Sequence, residues 1–261
     1  MNVLCFDIET IPDTDFGRRI FDLGDLDDEA VAKVMRFKQL QARQTDFLPL
    51  PQHRVVVISA VLRNSDGLHI FSIGEEQGSE REIVQRFFDG IERRSPDLVS
   101  WNGAGFDLPV LHYRALKHGV TAARYWEIGD ADRDFRYNNY LSRFHWRHID
   151  LMDVLSGFQF GGRASLQHTA QLLGLPGKLG MSGDRVWDYH LAGRHKEIEQ
   201  YCETDALNTY LVYLRFELMR GGLDRARYDQ EVERARGKLE AEDGPHWREF
   251  LAAWQADDGR S

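Results

Sequence analysis

Apolar residues gather early in this chain into three short runs and only later settle into helical spacing. Residues 2 to 8 (Asn-Val-Leu-Cys-Phe-Asp-Ile), 54 to 63 and 67 to 73 are rich in Val, Ile and Phe, which suit a pleated surface. Asn64-Ser65-Asp66-Gly67 lies between the last two, so three strands are predicted, two of them joined as a hairpin. Ser79-Glu80-Arg81-Glu82 then has the form of a capping box, and Ile83, Val84, Phe87, Phe88 and Ile91 follow at helical spacing up to Pro96. Leu98 to Trp101 reads as a short buried strand, about Leu108 to Gly119 as a second helix, and Trp146 to Asp150 as a last strand. A long helix starts near Arg194 and stops at Gly221-Gly222. This order predicts an α/β fold, a mixed five-stranded sheet flanked by helices on both faces.

Two stretches decorate that plan. Residues 12 to 53 form an insertion in which Ala30, Val34 and Phe37 mark an amphipathic helix, halted before Pro49 and Pro51. Beyond residue 221 the chain is dense in charge, with Leu239, Trp247, Phe250, Leu251 and Trp254 as apolar anchors. The expected division is therefore a main domain over residues 1–221 and a charged helical tail over 222–261.

With 261 residues and 42% hydrophobic content, the chain can bury a full core as one domain. Its two cysteines, Cys5 and Cys202, fall inside predicted elements, which excludes a disulfide framework or a zinc cluster and suits a reducing cytoplasm. The longest apolar run, Val55 to Leu62, is interrupted by Ser59 and too short to span a bilayer, so neither membrane insertion nor export is expected. A net charge of −9 argues against broad adhesion to a polyanion but leaves room for a local site whose positive charge comes from bound metal.

Three separated segments carry candidate chemistry. Asp7 and Glu9 are two apart on a strand and so share a face near its carboxyl end. Taken alone, an Asp-x-Glu pair is as well explained by a solvated strand end. Asp107 follows a loop containing Gly103 and Gly105 and precedes Leu108-Pro109, a position equally suited to capping a helix. Tyr201 and Asp205 are four apart on one helix face, beside a more apolar stripe of Ile198, Cys202, Ala206 and Thr209, and a Tyr–Asp hydrogen bond would account for them structurally. All three segments, however, sit in contexts that lead to one edge of one sheet. Acids gathered there repel one another unless cations neutralise them.

Phe6-Asp7-Ile8-Glu9-Thr10, Trp101-Asn102-Gly103-Ala104-Gly105-Phe106-Asp107 and Tyr201-Cys202-Glu203-Thr204-Asp205 resemble the three exonuclease motifs of DEDD-type 3′–5′ exonucleases. The likeness is to the proofreading domain of family B DNA polymerases and to stand-alone bacterial relatives. It covers roughly residues 1 to 221 and takes in Pro51 to Ser59 and Leu173-Gly174-Leu175-Pro176-Gly177-Lys178. The tyrosine four residues before the last acid, with Gln200 where the other branch has histidine, resembles the DEDDy branch. The resemblance implies a ribonuclease H-like fold and two divalent cations, Mg²⁺ or Mn²⁺, held by Asp7, Glu9, Asp107 and Asp205. Tyr201 would orient the attacking water, while Asn102, Phe106 and Thr10 would contact the 3′-terminal nucleotide. The implied substrate is single-stranded DNA or a frayed end, and the implied product a nucleoside 5′-monophosphate. Only 40 residues follow position 221, so a polymerase domain and proofreading in cis are not expected.

Between the middle segment and the last strand, Arg114, Lys117, Arg124, Arg133, Arg136, Arg143 and Arg147 interleave with Tyr125, Trp126, Phe135, Tyr137, Tyr140, Phe144 and Trp146. Rings that stack on bases and cations that follow phosphate would suit a single strand. The alternative is a connection whose cations pair with Glu127, Asp130, Asp132 and Asp134. His148 and Asp150 fall near the sheet's end in positions more often structural. Two functional alternatives stand beside DNA cleavage: an enzyme of the same fold acting on RNA or short oligonucleotides, and a silent binding module, against which the intact acid set argues.

Overall fold

The computed structural model describes residues 1–258, with side chains described as far as Gln255. Five strands, β1 (Val3–Pro12), β2 (His53–Asn64), β3 (Gly67–Gly74), β4 (Asp97–Ser100) and β5 (His148–Asp150), form one sheet in the order β3-β2-β1-β4-β5. β1 runs antiparallel to β2 and parallel to β4, and β4 runs parallel to β5. The sheet is thus mixed and five-stranded, as the spacing of apolar runs predicts, and β1 sits at its centre.

The helices are α1 (Thr14–Phe21), α2 (Asp28–Arg43), α3 (Glu80–Arg94), α4 (Asp107–His118), α5 (Leu151–Leu155), α6 (Leu166–Leu172), α7 (Val186–Leu191), α8 (His195–Met219), α9 (Arg225–Ala241) and α10 (Pro245–Asp258). Alternation along β1 divides the core. Leu4, Phe6 and Ile8 pack with Phe87, Phe88 and Leu111 of α3 and α4 on one face, whereas Val3 and Cys5 pack with Ala206, Leu207 and Tyr210 of α8 on the other. Continuing that second series by two residues gives Asp7 and then Glu9. Both acids therefore face α8.

Unlike a surface helix, α8 is buried on nearly all sides, because α9 and α10 cover its outer flank. The tail's apolar anchors Leu239, Trp247, Phe250 and Trp254 belong to the same buried cluster as Cys5 and Tyr210. The last three residues of the expected tail lie outside the described residues.

One expectation is corrected. The insertion holds two helices, and the face of α2 that packs inward is Val31, Ala32 and Met35, one position off the Ala30, Val34 and Phe37 stripe; Phe37 is exposed. The cause is Gly17 of α1, whose missing side chain lets Met35 and Val31 approach so closely that an added Cβ would lie 2.4 Å from the Met35 sulfur. Of the two readings of the cationic and aromatic connection between α4 and β5, the paired one describes part of it. Tyr125, Phe135 and Tyr140 are core residues, and Arg124 and Arg147 lie over the Phe135 ring at 4.1 and 4.0 Å. Arg124 pairs with Asp132 at 2.8 Å, while Glu127 caps the backbone N–H groups of Gly129 and Asp130 instead of a cation. Of the seven rings named there, Trp126, Tyr137, Phe144 and Trp146 stay exposed.

Arg114 of α4 is wholly buried and donates to Asp13 at 2.6 Å and to both carboxylate oxygens of Glu80, tying the start of the insertion to α3 and α4. A desolvated guanidinium is tolerable only with such complete pairing.

Candidate active site

Asp7 and Glu9 rise from the centre of the sheet, and the β1–β2 register slips between Glu9 and Thr10, a kink of the kind that re-aims side chains beside functional sites. A ligand atom from each of Asp7, Glu9 and Cys202 lies within 4.8 Å of the other two. The Cys202 thiol donates to the Asp7 carbonyl oxygen at 3.4 Å, fastening α8 against β1. That contact sets Tyr201 and Asp205, on the adjoining face of α8, beside the same pocket.

Asp107 is the first residue of α4 and is nearly inaccessible. The loop before it is built around Asp150 at the end of β5, whose two oxygens accept from the backbone N–H groups of Asn102 at 3.0 Å and Ala104 at 2.9 Å. Asn102 takes a left-handed conformation (φ 64) and its carbonyl accepts from both Gly105 and Phe106. Gly103 is required by proximity, since a Cβ there would sit 2.2 Å from the Ser100 hydroxyl. His148 bonds that same hydroxyl at 2.8 Å. Asp150 and His148 thus shape the loop from behind.

The acids feel one another strongly. Burial raises the pKa of Asp7, and the charges of Asp107, Glu9 and Asp205 raise it further. Glu9 is raised by burial and then by Asp205. Asp107 is pushed up to about 7 by burial, with Asp150 adding to the rise and backbone hydrogen bonds opposing it. Asp205 is raised by burial, opposed by Lys178 and Tyr201. Asp107 and Asp205 thus lie near enough to Asp7 and Glu9 for their charges to be felt there.

Lys178 is the residue that sequence reasoning missed as a participant, although it closes the segment 173–178 that shares the family resemblance. Its ammonium lies 3.3 Å from Asp205 Oδ2 and donates to the Tyr201 hydroxyl oxygen. Burial by itself would lower the Lys178 pKa, but Asp205, Glu9 and Asp7 outweigh it and raise it. Gly177 (φ +66) makes the turn that delivers it, and Asn208 of α8 grips the Gly177 carbonyl at 2.9 Å. Tyr201 is held far above its ordinary pKa by burial and by the charges of Asp205, Glu9 and Asp7, so the phenol stays protonated.

A cavity of about 300 Å³ opens beside the acids, lined by Glu9, Thr10, Phe47, His53, Phe106 and Trp187 among others. Phe47, His53 and Phe106 form an aromatic cluster with centroids 5.0 to 5.6 Å apart, and Thr10 Oγ1 hydrogen-bonds His53 Nδ1 at 2.9 Å. Phe47 comes from the insertion and carried no sequence signal; more than half of its surface is exposed. Asn102, by contrast, is placed with its backbone in the loop, and no hydrogen bond of its side chain accompanies the aromatic cluster.

The donor set suits hard divalent cations. Oxygen ligands predominate, and Asp205 Oδ1 is buried without any hydrogen-bond partner, a state that a bound cation would relieve.

A DNA polymerase of Archaeoglobus fulgidus is 24% identical over 168 residues, 63% of this chain and 20% of the polymerase. The catalytic polypeptide of DNA polymerase epsilon from Saccharomyces cerevisiae is 26% identical over 146 residues, 54% of this chain and 6% of that polypeptide. The structure of the family B DNA polymerase from the hyperthermophilic archaeon Pyrobaculum calidifontis shares the fold, with a TM-score of 0.51 at 21% identity over 84% of this chain and 24% of the polymerase. The chain therefore spans about a quarter or less of each of these relatives. Asp7 and Glu9 precede the span matched by the family, whereas Asp107, Lys178, Tyr201 and Asp205 fall inside it. Through residues 45–254 the chain belongs to the family described as predicted 3′-5′ exonucleases related to the exonuclease domain of PolB.

Proposed function

We propose that this chain is a metal-dependent 3′–5′ exonuclease that removes nucleoside 5′-monophosphates from the 3′ end of single-stranded DNA or a frayed duplex end. The observation that carries the reading is that Asp7 and Glu9 are buried side by side within reach of the charges of Asp107 and Asp205, a repulsion that calls for cations. Asp7, Glu9 and Asp205 would hold one divalent cation, Mg²⁺ or Mn²⁺, and Asp7 with Asp107 a second. When bound, such ions raise the acidity of water and neutralise charge on a phosphodiester.

The chain's own groups do the rest. Lys178 donates to the Tyr201 oxygen, which leaves the phenolic proton available for another acceptor. A phenol kept neutral cannot abstract a proton at neutral pH, and Tyr201 accordingly orients the water. That water would attack the terminal phosphorus, giving its proton to solvent, while the bond to the O3′ of the penultimate nucleotide breaks, O3′ takes up a proton from solvent, and the mononucleotide leaves with the phosphate. Phe106 and Phe47 offer ring faces to the terminal base or sugar, Thr10 lies at the cavity wall, and Asn102 fixes the loop that presents Phe106. In this reading residues 1–221 are the nuclease unit, and α9 and α10 of the segment 222–261 brace α8 from outside. The buried free thiols Cys5 and Cys202 suit a reducing cytoplasm. Among the described residues no helix is long and apolar enough to cross a membrane.

The test is incubation of 5′-labelled oligonucleotides with Mg²⁺ or Mn²⁺. Stepwise shortening that is lost in Asp7→Ala supports the reading, and an inert wild type with both metals removes it. Matched DNA and RNA strands separate a deoxyribonuclease from an enzyme of the same fold that degrades RNA or short oligonucleotides.

A further inference from the structure

Away from the acid pocket, a second set of metal-ligating side chains converges where β3 ends against the junction of α7 and α8. Glu75 opens the short turn that follows β3, His190 lies in the last turn of α7, and His195 is the first residue of α8. Gly193 (φ +69) folds the intervening chain back so that the two imidazoles meet edge to face with centroids 5.0 Å apart. The Nδ1 atoms of His190 and His195 lie 3.4 and 3.8 Å from the same Glu75 oxygen, Oε2, and all three ligand atoms fall within 4.8 Å of one another. Nitrogen and oxygen ligands at about 2.0–2.2 Å around a tetrahedral ion stand roughly 3.4 Å apart, so the spacing already approximates a coordination shell.

A further observation points inward. His190 Nδ1 is buried and has no hydrogen-bond partner, an unusual state for a ring nitrogen.

We infer that Glu75, His190 and His195 form a cation site distinct from the acid pocket, taking a borderline transition metal of the Zn²⁺ or Co²⁺ type with water as the fourth ligand. Two imidazoles and one carboxylate select such ions over Mg²⁺, which prefers oxygen throughout. Ligation through Nδ1 leaves the proton of His190 on Nε2. That nitrogen then ceases to accept from Arg54, now 3.5 Å away, while Arg54 keeps its 3.0 Å pairing with Glu75 Oε1. Arg54 is thus a competing cation that weakens the site. A bound ion would staple the end of α7 and the start of α8 to the sheet. Those helices carry Trp187 of the cavity and Tyr201 and Asp205 of the pocket.

The experiment is titration of the untagged full chain with Zn²⁺ and Co²⁺, read by competition with a chelating dye, by Co²⁺ visible absorption and by thermal unfolding. Asp205→Asn serves as the acid-pocket control. One Zn²⁺ equivalent is expected to survive in that control, with the absorption of a tetrahedral nitrogen and oxygen Co²⁺ site. His195→Ala, at a partly exposed position, and Glu75→Gln should each weaken it about 10- to 100-fold and abolish the Zn²⁺-dependent rise in Tm. Arg54→Gln should tighten it. Wild-type stoichiometry and Co²⁺ absorption in both His195→Ala and Glu75→Gln, or loss of the site in Asp205→Asn, would overturn the assignment.

Discussion

The ammonium of Lys178 stands 3.3 Å from the Asp205 carboxylate while donating to the Tyr201 hydroxyl, so one cation spans the two members of the last acidic segment. In the absence of metal it supplies positive charge to a pocket that needs it. Lys178→Met is therefore expected to lower the Tm of the metal-free protein and to enlarge the Tm gain on adding Mn²⁺. Its kcat should fall about tenfold or more, in line with the loss of one preorganised donor. Thermal unfolding with and without Mn²⁺ checks this, and an unchanged Mn²⁺ increment would count against the bridging role.

Because Tyr201 stays protonated, Tyr201→Phe should keep metal binding and reduce kcat by roughly 10- to 100-fold without abolishing it. The pH–rate profile of the variant should retain the wild-type shape. A limb that disappears with the hydroxyl would make Tyr201 the base.

Phe47 is exposed over the cavity and packs against His53 and Phe106, so its removal costs little stability. Phe47→Ala is expected to raise KM for a single-stranded substrate by roughly 5- to 100-fold, the equivalent of about 1–3 kcal/mol of base stacking. Circular dichroism should be unaltered. Steady-state kinetics on a short oligonucleotide decides, and an unchanged KM would mean that the base does not enter this cavity.

Arg114→Met leaves Asp13 and Glu80 buried without their guanidinium partner. The expected loss is about 3–5 kcal/mol, measured by urea unfolding. A loss below about 1 kcal/mol, the scale of an exposed pair, would show that Lys117 and His118 suffice to satisfy both acids.

Burial lowers the His148 pKa to about 4, against an unfolded value near 6.5. The folded chain then binds fewer protons than the unfolded one between those values, so this histidine's contribution is full above about pH 6.5 and is lost as pH falls towards 4. The difference amounts to about 3 kcal/mol. His148→Gln, which can still reach Ser100, should flatten the unfolding free energy over that window when wild type and variant are compared in the same chelator-containing buffers. Parallel curves would refute the assignment.

That Asp7 and Glu9 would share a face of β1 was legible from alternation, because a strand's period of two puts both on the face of Val3 and Cys5. The amphipathic stripe of α2 was read one residue astray because a single glycine on α1, invisible as a packing partner, chose Val31 and Met35. The arginines and rings of residues 114–147 left a binding strip and a paired connection both open, since composition cannot say whether a ring stacks on a base or on a neighbouring guanidinium.

The amino-acid order alone determined the strand and helix succession, the three acidic segments and the tyrosine that accompanies the last of them, for these depend on local periodicity and short spacings. Tertiary structure alone decided that Lys178 enters the pocket, that Phe47 from the insertion reaches Phe106, that Asp150 works from behind the loop, and that Glu75 meets two histidines more than a hundred residues away. Such encounters are set by how distant elements pack, and a one-dimensional pattern records no distance between residues that only folding brings together.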